Sequence, residues 1–166
     1  MFYTIADDLI FYQLLSFVKR FSNFELLLRE YFAKKTDGIY PEFIAVVNQY
    51  IFFFIKKKYY PISKMHLGEM RRQIVKRKIM IIRIEKIFIN LLFSFFPDLN
   101  IDDIEIEFDY ESGSREISVY FLFYEERGIA IGRNGDYIRA VNDVLEKYVV
   151  FENNNTPLKV KCKFKE

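Results

Sequence analysis

The sequence predicts an α+β protein, with helices in its first half and a small sheet in its second half. In the first half, apolar residues recur at steps of three and four, the period of an amphipathic helix. From residue 104 onward, apolar and charged residues alternate, which is the period of a strand. A chain of 166 residues with 51% hydrophobic residues can bury the core of one domain, or of a smaller domain with an extension.

Three helices are predicted in the first half. Asp37-Gly38 interrupts the helical period after the first helix, and Pro41 suits the first turn of the second. Pro97 ends the third helix, because proline cannot continue the hydrogen-bond ladder. The predicted bounds are about 5–32, 41–55 and 69–95, with a basic connector at 56–61.

Three strands are predicted in the second half. From Ile104 to Tyr110, apolar residues alternate with acidic ones, so one face is buried and one is solvated. From Ile117 to Phe123 the residues are mostly apolar on both faces, which is typical of a central strand. Lysines alternate with apolar residues in the last strand. The other predicted features are a hairpin turn at Ser112-Gly113-Ser114, a helix at about 136–148, a loop at 153–155 and the last strand at 158–164.

Charge is unevenly distributed along the chain. The formal net charge is only +2, yet residues 56–86 carry eleven Lys and Arg against two Asp and Glu. Residues 98–126 carry one basic residue against ten acidic ones. This segregation predicts a basic face for a polyanion, with the acidic block turned away or paired internally.

The residue types argue against an enzyme. The single cysteine, Cys162, excludes an intramolecular disulfide, and the only histidine, His66, lies between the basic connector and the third predicted helix. The acidic residues of the predicted strand from Ile104 to Tyr110 all point outward from one face, so they do not converge on a metal. No phosphate-binding loop, zinc spacing or catalytic triad is present. We therefore predict no catalytic residue, metal, cofactor or small-molecule substrate. No membrane segment or secretory signal is expected, since charged residues interrupt the apolar stretch 79–96.

A Gly-x-x-G segment, Gly132-Arg133-Asn134-Gly135, precedes the helix of the second half. Two glycines three residues apart permit close approach of a backbone to a phosphate, because neither carries a Cβ and both tolerate positive φ. The N–H groups at the start of the following helix, together with Arg133, add positive potential at the same place. The segment therefore predicts a clamp for a nucleic-acid backbone.

The segment from Gly128 to Arg139, within this order of elements, resembles the KH domain of type II. It is similar to the signature of NusA-type transcription factors and of the KH-bearing protein of the small ribosomal subunit. The resemblance implies the order α-β-β-α-α-β, with a three-stranded mixed sheet and helices on one face. We expect this domain over residues 69–166, after a helical extension over residues 1–68.

The resemblance also implies roles for individual residues, since the loop of a KH domain clamps about four nucleotides beside an apolar groove for the bases. By position, Arg139 would reach a phosphate and Asp136 would cap the helix. Tyr120 and Tyr124 are expected to pack against the N-terminal helices. The predicted RNA-binding residues are Gly132, Arg133, Asn134, Gly135 and Arg139, with Ile129 and Ile131 as the groove floor and Lys159 and Lys161 at its flank. The basic segment adds Lys56, Lys57, Lys58, Arg71, Arg72, Lys76, Arg77 and Lys78.

The expected function is a non-catalytic, structural component of an organellar small ribosomal subunit, in contact with RNA and neighbouring ribosomal proteins. The nineteen Phe, twelve Tyr and runs of Lys are typical of an AT-rich genome, which favours the mitochondrial matrix or another organelle, and otherwise a bacterial cytoplasm. One alternative is a NusA-like transcription elongation or termination factor. Another is an assembly protein that uses a KH fold and its aromatic helices, around Phe17 and Phe24, to dock proteins.

Overall fold

The chain forms seven α-helices and eight strands within residues 5–18, 20–152 and 158–165, which a computed structural model describes. In chain order they are α1 (Ile5–Phe11), β1 (Leu15–Phe17), α2 (Asn23–Lys35), β2 (Phe43–Val47), β3 (Tyr50–Ile55), α3 (Tyr60–Lys64), α4 (Leu67–Gln73), β4 (Lys78–Arg83), α5 (Phe88–Ser94), β5 (Ile101–Asp109), β6 (Ser114–Phe121), α6 (Tyr124–Ile131), α7 (Asp136–Lys147), β7 (Val149–Phe151) and β8 (Lys159–Phe164). Short 3₁₀ turns cover Lys57–Tyr59 and Arg133–Gly135.

The predicted first helix, at about 5–32, is wrong as a single element. It is divided into α1, the short strand β1 and α2. Ser22 begins α2 with a capping box, in which its hydroxyl accepts the Glu25 N–H and the Glu25 carboxylate accepts the Ser22 N–H. Phe17 lies in β1, with its ring 5.0 Å from that of Phe43 and 4.9 Å from that of Phe54. It is therefore a packing residue of the interior and not part of an aromatic helical face.

The second predicted helix, at 41–55, is a β-hairpin. Strands β2 and β3 pair antiparallel from Phe43 opposite Phe54 to Val47 opposite Tyr50. Asn48 takes a positive φ of 51° in the two-residue turn, a conformation that asparagine tolerates. Aromatic and β-branched residues dominate both strands, and every residue of β3 is buried.

The third predicted helix, at 69–95, is also wrong. Helix α4 ends at Gln73, strand β4 follows, and α5 begins only at Phe88. Strand β4 pairs parallel with β3 over its full length, from Tyr50 opposite Lys78 to Ile55 opposite Arg83. The β-branched run of β4 thus completes a buried sheet. Helix α4 crosses the predicted boundary between residues 68 and 69.

The elements from residue 101 onward follow the predicted order. Strands β5 and β6 pair antiparallel, and β8 pairs parallel with β6 as the central strand. Helices α6 and α7 flank the Gly-x-x-G turn. The predicted loop at Asn153-Asn154-Asn155 lies outside the described residues.

The topology repeats, although the sequence shows no internal repeat. The first unit, from α2 to β4, and the second unit, from α5 to β8, each contain the order helix, strand, strand, helix, helix, strand. In each unit an antiparallel pair is extended by a parallel third strand, in the order β2-β3-β4 or β5-β6-β8. Only the second unit carries a small additional strand, β7, which pairs antiparallel with β1.

The two units pack through one shared core. One face of the first sheet, including Ile51 and Phe53, packs against α2 and α4. Its other face, including Phe52, joins a larger cluster with α5, α7 and the second sheet. The face of the second sheet that packs against the helices is apolar, and its other face carries charged residues.

Candidate nucleic-acid interface

The Gly-x-x-G turn connects α6 to α7 in a backbone conformation that depends on its residue types. Gly132 has φ 83° and ψ 174°, Asn134 has φ 56° and Gly135 has φ 75°. The Gly132 N–H donates to the Gly128 carbonyl at 3.1 Å, and the Gly135 N–H donates to the Gly132 carbonyl at 3.2 Å. Three positive φ values in four residues turn the chain sharply into the start of α7.

Gly132 has no room for a side chain. A Cβ at this position would collide with the Asp136 Oδ1 atom and would lie 2.7 Å from the Tyr137 backbone nitrogen. At Gly135 a Cβ would lie 3.0 Å from the Arg139 Nη1 atom, which belongs to a flexible side chain. The backbone of the loop therefore packs directly against the first turn of α7 at Gly132.

The two predicted arginines take different positions at the loop. Arg133 is exposed and has no hydrogen bond or ion pair among the described residues. Arg139 is exposed too, but its Nη1 donates to the Asn134 carbonyl at 2.7 Å. Arg133 is therefore free to meet a ligand, whereas Arg139 braces the turn and has its remaining N–H groups available.

Asp136 does not cap α7 as predicted. It occupies the first position of the helix, Gly135 is the N-cap residue, and no side chain caps this end. One Asp136 oxygen accepts the Lys78 ammonium at 2.9 Å, and the other accepts the Tyr50 hydroxyl at 3.1 Å. Partial burial alone would raise the pKa of Asp136, but these contacts outweigh it and the pKa is lowered. Lys78 thus neutralises the acid beside the loop.

Tyr50 remains a hydroxyl donor in this contact. Partial burial and the neighbouring Asp136 carboxylate raise the pKa of Tyr50 to about 12. The sequence gives no sign of this triad, because Tyr50, Lys78 and Asp136 come from β3, β4 and α7 and so from both units. The charge next to the loop is set by the packing of the two units.

The residues of the predicted basic segment do not lie on one helix face. They are distributed over a 3₁₀ turn, α4 and the segment that leads into β4. Four have ion-pair or hydrogen-bond partners within the protein: Lys56 pairs with Glu42, Arg71 donates to the Ile79 carbonyl, Arg77 donates to the Asn48 carbonyl and Lys78 pairs with Asp136. A fifth, Lys58, lies over the Tyr59 ring at 4.8 Å from its centroid. Lys57, Lys58, Arg72 and Lys76 are exposed and have no ion pair or hydrogen bond within the described ranges.

The two isoleucines predicted as one groove floor do not share a surface. Ile129 is 63% exposed, whereas Ile131 is half-buried against the main core. Residues two apart on a helix point in directions about 200° apart, which explains the separation. Ile129 faces a cleft between the units, described below.

The lysines of β8 also separate. Lys159 lies with Arg139 at the edge of a shallow cavity of about 440 Å³. Lys161 instead pairs with Glu116 at 2.9 Å and with Asp109 at 3.6 Å on the charged face of the second sheet. The Asn142 side chain joins α7 to the outer edge of β8 by accepting the Val160 N–H at 2.8 Å and donating to the Val160 carbonyl at 3.0 Å.

The acidic strand β5 is paired internally. Lys163 contacts Glu107 at 2.6 Å and Glu116 at 3.5 Å, and Lys165 contacts Asp103 at 3.1 Å and Glu105 at 3.4 Å. The lysines of β8 thus reach across the central strand to carboxylates of β5. Segregated charges in the sequence become neighbours in the sheet.

Lowering the pH is expected to remove the contribution of Glu107 to stability. Burial alone would raise the pKa of Glu107, but the Lys163 ammonium and the Tyr120 hydroxyl lower it to about 2. A depressed carboxyl pKa stabilises the fold fully above the ordinary value near 4.5, and this stabilisation is lost as the pH falls toward 2. Glu107→Gln should therefore cost about 1 kcal/mol of unfolding free energy at pH 7, and this cost should shrink as the pH falls from about 4.5 through 2. Urea unfolding across this range measures the difference; a constant difference would contradict the assignment.

The two tyrosines do not pack against N-terminal helices as predicted. Tyr120 donates its hydroxyl to Glu107 on the charged sheet face. Tyr124 is 62% exposed, and its ring lies 5.8 Å from that of Phe164. Tyr124 is an accessible aromatic ring at the start of α6.

A cleft of about 620 Å³ lies between the units, next to the loop. Helices α3 and α4 and strand β4 form one wall, and residues 95–99, α6 and the start of α7 form the other. Lys64 and Asp98 form an ion pair between the two walls. The sequence analysis did not predict this cleft, because residues 71–81 of one wall and Phe95 of the other were assigned to one continuous helix.

No group of His, Cys, Asp and Glu that could hold a metal is present in the described part of the chain. No helix in the same residues has both the length and the apolarity to cross a bilayer.

The comparisons with known proteins show the fold alone. No protein-family model matches the chain, and no curated protein matches it. Among the solved structures that match, the crystal structure of APE1850 has a TM-score of 0.58 at 15% identity, covering 87% of this chain and 100% of that chain. Residues 69–166 make up much less than 87% of the chain, so the structural similarity also includes residues of the first unit. The chain is therefore an α+β protein whose architecture is shared with a solved structure over most of its length.

Proposed function

We propose that this chain is a non-catalytic RNA-binding protein that holds single-stranded RNA at the Gly132–Gly135 loop. The observation that carries the proposal is the geometry of this turn, in which Gly132, Asn134 and Gly135 all have positive φ. The turn presents exposed Arg133 at the entrance of a twelve-residue helix. Backbone N–H groups and a free guanidinium at one point suit a phosphate backbone.

The surroundings of the turn support a type II KH domain in the second unit. Its order is helix, two antiparallel strands, two helices and a parallel third strand. The pairing of Asp136 with Lys78 and Tyr50 removes the main objection to phosphate at this loop, namely an unpaired acid directly after it.

The first unit supplies positive charge. Residues 23–83 carry thirteen Lys and Arg against five Asp and Glu, a net charge of +8. In the first unit, the connection between α3 and α4 corresponds to the Gly-x-x-G turn, but it consists only of Met65 and His66. Neither residue has a positive φ. The first unit thus lacks the clamp geometry but offers electrostatic attraction to a polyanion.

The direct test is equilibrium binding of single-stranded RNA and of an RNA duplex of equal length. We expect tighter binding of the single strand. If about four phosphates are neutralised, the logarithm of the binding constant should fall with the logarithm of salt concentration at a slope of about −3. Equal affinity for duplex and single strand would contradict the proposal.

Between the two biological roles, the repeated topology favours a NusA-like transcription factor, because such proteins usually carry two KH units. A basic helical extension and free lysines on the last strand would favour the ribosomal role. Residues 23–83 instead contain a sheet, and Lys161, Lys163 and Lys165 of the last strand are paired with acids. Purification of the tagged protein at moderate salt distinguishes the roles. The NusA-like role predicts RNA polymerase in the eluate, and the ribosomal role predicts small ribosomal subunits.

A further inference from the structure

Helix α7, which begins at the end of the Gly-x-x-G loop, is attached to the first unit at more than one point. At its start, the Asp136 carboxylate accepts the Lys78 ammonium of β4 at 2.9 Å. Further along, the Asp143 carboxylate accepts the side-chain amide of Asn48, from the turn between β2 and β3, at 3.0 Å. The loop and its helix therefore take their position from the first unit as well as from the second.

Tyr50 of β3 holds the first two residues of α7. Its hydroxyl donates to Asp136 at 3.1 Å, and its ring meets the Tyr137 ring nearly at right angles with 5.3 Å between the centroids. Both tyrosines are buried, and the Tyr137 hydroxyl donates to the Phe95 carbonyl. Buried side chains packed in this way have little freedom to move. Tyr50 thus determines where the Asp136 carboxylate lies.

The Asp136 carboxylate lies directly against the backbone of the loop. A Cβ at Gly132 would collide with Asp136 Oδ1, the same atom that accepts the Tyr50 hydroxyl. An unpaired carboxylate at this place would repel a phosphate at the loop and compete with it for the N–H groups at the start of α7. The affinity of the loop for an anion therefore depends on the partners of Asp136.

Lys78 is placed to serve Asp136 and not a ligand. Its ammonium contacts Asp136 Oδ2 and also lies 5.5 Å from the centroid of the Tyr50 ring. Both contacts draw the ammonium into the boundary between the units. Arg133, in contrast, is exposed and has no ion pair or hydrogen bond among the residues that the structure describes. The two cations near the loop thus have different surroundings.

We propose that Lys78 and Tyr50 are positioning residues of the RNA clamp, which act through Asp136 and do not contact the RNA themselves. This inference rests on the proposed function of the loop. Tyr50 holds the carboxylate in place beneath Gly132, and Lys78 neutralises it. The first unit is then a working part of the clamp, although it has no Gly-x-x-G turn of its own. Lys78 has a role different from the RNA contact that the sequence analysis predicts.

A double-mutant cycle in the full-length chain tests this role, with oligouridine of about ten nucleotides as the probe. Lys78→Met leaves Asp136 charged and without its cation, so we expect oligouridine binding to weaken by about tenfold. Lys78→Met combined with Asp136→Asn removes both charges, and its affinity should return to within about twofold of that of the unchanged protein. No loss in the single variant, or no recovery in the double variant, would overturn the inference.

A similar cluster on the other side of the first sheet supplies the matched control. Lys35 pairs with Glu69 at 3.3 Å and lies 5.8 Å from the centroid of the Tyr31 ring, the same two kinds of contact that Lys78 makes. These residues belong to α2 and α4, which pack on the face of the first sheet away from α7. Lys35→Met should leave oligouridine affinity within about twofold. A loss equal to that of Lys78→Met would indicate a general charge effect and overturn the inference.

Tyr50→Phe tests the second contact, because it removes the hydroxyl and keeps the ring. We expect it to weaken oligouridine binding by about threefold, and to cause no further loss in the Asp136→Asn variant, where no charge has to be held. Tyr31→Phe in the control cluster should have no effect. Unchanged affinity of Tyr50→Phe would overturn the role of Tyr50.

The salt dependence of binding distinguishes a positioning residue from a phosphate contact. A lysine that neutralises one phosphate of a single strand contributes about 0.7 to the slope of the logarithmic salt plot. We expect the double variant to keep the slope of the unchanged protein. A slope shallower by about 0.7 would identify Lys78 as a phosphate contact and overturn the inference. The proposed function fails separately, if the unchanged protein binds single-stranded and duplex RNA equally.

Discussion

Replacement of both Arg133 and Asn134 by Asp is expected to weaken single-stranded RNA binding at least ~10-fold. The double variant removes the free guanidinium at the loop and places two carboxylates where the phosphates would lie. Both side chains are exposed, so the fold should be retained. Filter binding or fluorescence anisotropy at constant salt measures the effect.

The matched control changes the net charge by the same amount at a site far from the loop in the sequence. Tyr110 and Arg115 are exposed at the tip of the β5–β6 hairpin, and the double replacement Tyr110→Asp with Arg115→Asp alters the net charge by the same three units as the loop variant. It should leave affinity within about twofold, because long-range repulsion is screened at physiological salt. Equal losses in the two variants would indicate a general charge effect and remove the clamp from the proposal.

Gly132→Ala is expected to be the most destabilising single change in the loop, at about 2–4 kcal/mol of unfolding free energy. Two effects add. The φ of 83° with ψ of 174° belongs to a region that is essentially restricted to glycine, and the new Cβ would meet the Tyr137 backbone at 2.7 Å. Urea unfolding followed by circular dichroism measures the loss.

Gly113→Ala separates the two effects. Gly113 has a positive φ of 70°, yet no atom lies within 4 Å of the position that a Cβ would take. Its replacement should cost only the backbone strain, about 1–2 kcal/mol. A loss at Gly132 no larger than at Gly113 would mean that the contact with α7 does not hold the loop in place.

The second unit was predictable because its strands have one buried and one polar face. The alternation in β5 and the lysines of β8 indicate both the period and the buried side. The first unit gave no such signal, since its sheet is covered on both faces. A continuous apolar run such as Phe52-Phe53-Phe54 cannot be distinguished from a buried helix segment by period alone. The same ambiguity extended the predicted third helix through the buried residues of β4.

The loop itself was predictable from two glycines at the right spacing, but its electrostatic surroundings were not. Asp136 is neutralised by Lys78 and accepts a hydrogen bond from Tyr50, which lie 58 and 86 residues away in the sequence. The position of Ile129 in a cleft depends on how the first unit packs against the second. Contacts of this kind arise from the tertiary arrangement and leave no local pattern.

The pairing of β1 with β7 has a consequence for the synthesis of this chain. Leu15 of β1 lies opposite Phe151 of β7, so β1 cannot pair until β7, which follows it by more than 100 residues, has been synthesised. The first unit can form its own sheet as soon as β4 has left the ribosome, because β2, β3 and β4 pair only with one another. The segment before α2 remains without its strand partner until residue 151 has emerged, and its closure is therefore among the last events of co-translational folding.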